Sequence, residues 1–148
     1  MKIAWVYLDK KSASVDALKD FSSMEYIISN SPADMFDIQS RMTAVRSSAP
    51  NGMPHQPNPQ AAESRIAASI DEIDVLKERY RGALEYMEWF RPAWIGVSDD
   101  DKFVLKEFYL TDGDTVGAIC NRFHIERSSA YNKKNRALEK LALLLYGK

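Results

Sequence analysis

Thr115-Val116-Gly117-Ala118-Ile119-Cys120-Asn121-Arg122-Phe123-His124-Ile125-Glu126-Arg127-Ser128-Ser129-Ala130-Tyr131-Asn132-Lys133-Lys134-Asn135-Arg136-Ala137-Leu138-Glu139-Lys140-Leu141 is the run whose reading decides the fold. Val116, Ile119, Cys120 and Phe123 form the apolar face of a short helix for which Thr115 is a plausible N-cap. His124-Ile125 reads as a tight turn whose Ile can be buried between two helices. A longer helix begins near Glu126, with Ala130, Ala137 and Leu138 facing inward. Its first two turns are small, polar and basic. Such an end can enter the DNA major groove and clear the sugar–phosphate walls, so short helix, tight turn and longer helix together give the helix-turn-helix plan.

Upstream, Ser98 followed by Asp99, Asp100 and Asp101 reads as an N-cap and an acidic first turn, which complements the helix dipole. Phe103, Val104, Phe108 and Leu110 supply that helix's apolar face, and Gly113 in Thr111-Asp112-Gly113-Asp114 can take the positive φ that ends it. Further upstream, Ile66, Ile70, Ile73, Tyr80, Leu84 and Met87 form a heptad-like seam interrupted at Lys77, a long helix expected to stop at Arg91-Pro92. Trp89, Phe90, Trp94 and Ile95 read as glue between that helix and the C-terminal domain.

The stretch from Ser47 to Gln60 carries four of the six prolines and reads as a loop. Before it, Val15, Leu18, Phe21, Met24 and Ile28 form one helical stripe. Ser31-Pro32-Ala33-Asp34 reads as a fresh helix start, continued by Met35, Ile38, Met42 and Val45. Residues 3–8 are apolar on both parities, and the reading favours helix over a short strand. The expected organisation is all-α: N-terminal helices at 1–46, a Pro-rich loop at 47–62, a long helix at 63–97 pairing with the first helices as a hairpin or coiled coil, and a helix-turn-helix domain at 98–148.

Composition narrows the function. The 148 residues hold 20 basic and 21 acidic side chains, a net charge of −1 that on its own argues against a nucleic-acid partner. Counted by segment the conclusion changes: residues 115–148 hold 7 basic and 2 acidic side chains, against a surplus of acids elsewhere. The one cysteine, Cys120, excludes an internal disulfide and fits a reducing, cytoplasmic compartment; it reads as a packed core thiol. His55 and His124 lie far apart, so no metal or other cofactor is expected. Neither a secretory signal nor a membrane span is expected, the apolar run Ile3–Leu8 being too short for either. With no Gly-rich phosphate loop and no nucleophile beside a base, an enzyme is not expected.

Asp101 to Leu145 resembles region 4 of sigma-70-type factors, in the Asp112-Gly113-Asp114 turn, the Thr115–Cys120 run, Phe123-His124-Ile125, Arg127–Tyr131 and Arg136-Ala137-Leu138-Glu139-Lys140-Leu141. The whole layout is similar to small phage proteins of the ArpU/RinA type, closely over the last fifty residues and only in architecture over residues 1–98. The resemblance implies a sequence-specific DNA-binding regulator of late phage or prophage transcription in the bacterial cytoplasm. It makes Arg127, Ser128, Ser129, Asn132 and Lys133 the candidates for base or groove contacts, and Arg122, Lys134, Arg136 and Lys140 those for phosphates. Tyr131 either packs on the preceding helix or touches the backbone. Cys120 stands where that family usually has alanine, and His124 at a position often glycine, which implies a turn either slightly opened or using positive φ at a non-glycine residue. Glu126 replaces the usual serine N-cap, where it can instead read a cytosine N4 amino group.

Double-stranded DNA is thus the expected partner, with RNA polymerase as a further partner and a homodimer as the assembly. The run Leu141, Leu143, Leu144, Leu145 and Tyr146 either closes the core or forms a dimer seam. Two other functions share these features: a DNA-packaging adaptor of small-terminase type, which a large ring in solution would favour, and an adaptor that touches RNA polymerase through Asp99–Asp101 and never DNA.

Overall fold

The computed structural model describes residues 7–47 and 59–147, and these are all-α. Five helices follow in order: α1 (Lys10–Ser47), α2 (Pro59–Ile95), α3 (Asp99–Tyr109), α4 (Thr115–Phe123) and α5 (Arg127–Tyr146). Contacts divide them into two compact units, and both long helices contribute to each: residues 24–85 form one, residues 7–23 with 86–147 the other.

The unit of residues 24–85 departs from expectation at a proline. Ser31-Pro32 does not begin a new helix; α1 runs through both, with Ser31 buried and Pro32 exposed. Met24, Ile28, Ser31, Met35, Ile38 and Met42 form one uninterrupted stripe of buried and half-buried positions in steps of three and four. The two stripes read separately in the sequence are therefore in phase and join through Ser31. A proline in a helix interior removes one backbone hydrogen bond and crowds the preceding turn. Here its ring lies on the exposed face, outside the stripe.

On α2 the buried stripe runs through Ala62, Ile66, Ser69, Ile73, Leu76, Tyr80 and Ala83, again in steps of four and three. Ile70 and Leu84, expected on this seam, are 45% and 39% exposed. The small residues Ser69 and Ala83 take the inner positions, and Leu76 fills the apparent interruption at Lys77. Apolar bulk is no guide to these positions, because burial along the stripe follows the helical spacing and not side-chain size. Arg41 and Met42 share a pocket of about 250 Å³ with Arg65, Ile66 and Ser69, and Asp34 and Ile38 share one of about 200 Å³ with Glu72 and Leu76. Later residues of α1 thus face earlier ones of α2, an antiparallel pairing. Pro59 opens α2 at a first-turn position, where its missing N–H costs nothing. The Pro-rich reading of 48–58 lies outside the described residues, as do positions 3–6; Tyr7 to Asp9 precede α1, which starts only at Lys10.

In the second unit Pro92 does not end α2, which continues to Ile95. The resulting last turns insert Phe90, fully buried, among Ala17, Leu18, Ala93, Val97, Leu105, Ala137, Leu138, Leu141, Leu145 and Tyr146. Phe90 lies 5.3 Å from the Tyr86 ring, 5.8 Å from Trp94 and 5.6 Å from Phe21. The Trp89 indole N–H donates to the Leu145 carbonyl at 3.2 Å, and its ring lies 5.4 Å from Tyr146. Trp89 and Phe90 thus tie the long helix to the α5 residues of this cluster, and Trp94 packs on the cluster with Lys102 and Lys106 of α3 over its ring; Ile95 does not join them, being 70% exposed. Leu141, Leu145 and Tyr146 close this core, whereas Leu143 and Leu144 are 55% and 47% exposed. Around this core, the start of α1 packs with α5: Ala17 and Leu18 lie in the cluster, and Lys11 Nζ is 3.2 Å from Glu139 Oε1.

Candidate nucleic-acid interface

A second, smaller cluster holds α3, α4 and α5 together: Val104, Val116, Ile119 and Ala130 are buried, with Phe103, Phe108, Cys120, Phe123 and Ile125 packed on it. The α3 helix is capped as expected, the Ser98 hydroxyl accepting from the Asp101 N–H at 3.3 Å. Its apolar face differs by one residue: Leu105 is fully buried and Leu110 is 42% exposed. Gly113 has φ 106°, yet it lies in the loop beyond the helix, whose C-cap is Leu110 in a right-handed conformation.

For α4 the N-cap is Asp114, not Thr115: its Oδ1 accepts from the Gly117 N–H at 3.0 Å. The cap explains the glycine. A Cβ at Gly117 would stand 2.2 Å from the Asp114 carboxylate, so any side chain there must displace the cap. At the other end His124 takes φ 53°, ψ 50°, so of the two outcomes implied for this turn it adopts the left-handed one. The His124 and Ile125 amides both turn back to the Cys120 carbonyl, and Ile125 is drawn into the small cluster. Cys120 is half-buried there, as a packed thiol.

Glu126 is the N-cap residue of α5 but makes no side-chain cap hydrogen bond. The first turns then project as follows. Arg127, Ser128, Ser129 and Asn132 are exposed, and Ala130 between them is fully buried. Lys133 is half-buried with Nζ 4.4 Å from the centre of the Phe123 ring; Lys134 is half-buried with Nζ 5.4 Å from Phe108. Arg122 on α4 is exposed with its guanidinium 4.4 Å from the Phe103 ring. Stacking on ring faces lets these long side chains keep their charge at the surface while their stems are ordered. Arg136 is exposed. The Tyr131 ring packs 5.6 Å from Phe108 and remains 42% exposed.

Lys140 is placed differently from the other cations. Its Nζ lies 3.2 Å from Oδ2 of Asp101, a residue only 9% exposed, so it is partnered across α3 and α5. One exposed residue was missed in the sequence. Asn135 continues the line Ser128, Asn132, Asn135 along the outermost face of α5, three residues beyond Asn132 and seven beyond Ser128; that spacing was the signal. Glu139 ends the same line, where Lys11 pairs with it. The face is thus polar and amide-bearing, flanked by cations, with its far acid offset.

Among the described residues no group of three or more His, Cys, Asp and Glu side chains could hold a metal ion, and no helix is long and apolar enough to cross a membrane. No family model matches the chain, and no curated protein and no solved structure is significantly similar to it.

Proposed function

We propose that the protein binds duplex DNA in a sequence-dependent manner through α4 and α5, as a transcription regulator of the late phage or prophage type. The observation that carries this reading is the outer face of α5. Ser128, Asn132 and Asn135 form a narrow line of small and amide side chains, and Arg122, Arg127, Lys133, Lys134 and Arg136 are the cations of the adjoining surface. Amides pair in bidentate fashion with adenine, and arginine with guanine; neighbouring cations fix the register on phosphates without reading sequence.

In this reading Arg127, Ser128, Ser129, Asn132 and Asn135 address base edges. Glu126, free of any capping bond, is available to accept from a cytosine amino group. Arg122, Lys134 and Arg136 hold phosphates, and Lys133, expected from the sequence at the base edges, is grouped with them here because it is half-buried with its ammonium over the Phe123 ring. Lys140 secures α5 to α3 through Asp101. The test is a selection from random duplexes followed by binding measured against salt. The expected result is an enriched sequence and an affinity that falls linearly on a log–log salt plot, by about 0.9 per phosphate contact. Binding with no enriched sequence and no salt dependence would sink the proposal.

A further inference from the structure

The hairpin unit carries a second regular stripe on α1. Tyr26, Ser29, Ala33, Phe36, Ser40 and Thr43 recur in steps of three and four. At about 100° per residue they lie on the side of the helix opposite the buried stripe from Met24 to Met42. All six are exposed, Tyr26 by 67% and Phe36 by 68%, and none is charged. The corresponding outer positions of α2, Asp71, Val75, Glu78, Gly82 and Glu85, carry three carboxylates, as a solvated face ordinarily does. Two hydroxyls on the stripe are already bonded within the helix: Ser40 Oγ donates to the Phe36 carbonyl at 2.9 Å and Thr43 Oγ1 to the Gln39 carbonyl at 3.0 Å. Groups already bonded to their own helix can leave water without losing a hydrogen bond.

We propose that this face is covered by a second copy of the chain, the two α1 helices running antiparallel. The stripe is its own complement in that direction only. With each Phe36 set on the partner's Ala33, Ser29 meets the partner's Ser40 and Tyr26 meets the partner's Thr43, so each ring faces a small residue. A parallel pair would stack ring on ring and leave the Ser and Ala layers between them unfilled. At the edges the antiparallel register brings the Asp37 carboxylate beside the partner's Asn30. That amide has a second N–H beyond the one it gives to the Tyr26 carbonyl. The same patch serves both copies, as a two-fold interface requires. A seam of roughly 27 Å by 10 Å, from the helix rise and diameter, covers less than the ~800 Å² per partner of a stable complex. The dimer is therefore reversible and its population depends on concentration.

Sedimentation of the full chain over roughly a hundredfold concentration range tests this without DNA. A monomer–dimer equilibrium is expected, its dissociation constant raised at least tenfold by Phe36→Glu and by Tyr26→Glu. Both positions are exposed, so helix content by circular dichroism should not change. Val75→Glu, exposed on α2, should leave the equilibrium where it was. A monomer at every concentration, a ring, or a dimer indifferent to Phe36→Glu would overturn the proposal. Direction is read in a Cys120→Ser chain carrying either Tyr26→Cys or Thr43→Cys: oxidation should cross-link the mixture and neither variant alone. Cross-linking of each variant with itself would overturn the antiparallel arrangement.

Discussion

His124 stands in the left-handed region at φ 53° without being a glycine, which costs an L-residue about 1–2 kcal/mol. The turn keeps that conformation because it brings two amides to one carbonyl and turns Ile125 inward. His124→Gly removes the steric cost and adds glycine's greater loss of backbone entropy, so the net expectation is a gain of about 0.5–1 kcal/mol. His124→Val should lose at least as much, since a β-branched residue tolerates positive φ poorly. Urea midpoints of the three proteins check both signs. The cations separate at this scale as well. Arg136→Ala should flatten the salt dependence of DNA binding by about 0.9 in log–log slope. Lys140→Ala should instead lower the thermal midpoint with little change of slope, because it strands the nearly buried Asp101 carboxylate.

Among the elements, α1 holds the main departure from sequence expectation. The pair Ser31-Pro32 is a strong helix-start signal locally, and the acid at 34 strengthens it. The signal fails because buried positions on both sides are spaced as if the proline were absent, and continued packing outweighs one lost hydrogen bond. Pro32→Ala restores an N–H donor to the Ile28 carbonyl on an exposed surface. It is expected to raise stability by about 1–3 kcal/mol, read as a higher thermal midpoint with unchanged helix content elsewhere. If α1 were two helices, the substitution would lose a favourable first-turn proline and stability would fall. The α2 seam fails for a related reason: Ser69 and Ala83 are inconspicuous in sequence, while Ile70 and Leu84 draw attention by bulk. By contrast α3, α4 and α5 start within a residue of where they were read, because their boundaries are set by local chemistry such as the Ser98 cap and the left-handed turn.

At the scale of the molecule, the unit that carries the candidate interface is closed by aromatic residues from distant parts of the chain. Burial, with the nearby charges of Asp20 and Tyr146, pushes the Tyr86 phenol above its ordinary pKa; its hydroxyl donates to the Ala17 carbonyl. Tyr109 and Tyr146 are also raised, by burial first. A group whose folded pKa is raised contributes stability that is fully present below the unfolded value and lost as pH rises towards the folded one. Stability should therefore decline as pH rises above about 10, the ordinary tyrosine value. Tyr86→Phe should make that decline shallower while leaving a residue from the other two phenols. Denaturant titrations at a series of alkaline pH values measure it, and an unchanged slope would contradict the assignment.

What the sequence determined by itself is whatever depends on near neighbours along the chain. It determined the all-α class, the starts of the last three helices to within a residue, the Ser98 cap, the turn at His124-Ile125, and the concentration of positive charge after residue 115. Tertiary structure alone decided the rest. It carried α1 through Pro32 and α2 through Pro92, set Ser69 and Ala83 on the buried stripe of α2, and joined the start of α1 to α5. It also partnered Lys140 with Asp101, thirty-nine positions away. The reason is one of range: a cap or an αL turn is settled within four or five residues, where steric and hydrogen-bond rules act directly. Whether a helix survives a proline, or a lysine stays free, depends on what is packed against it.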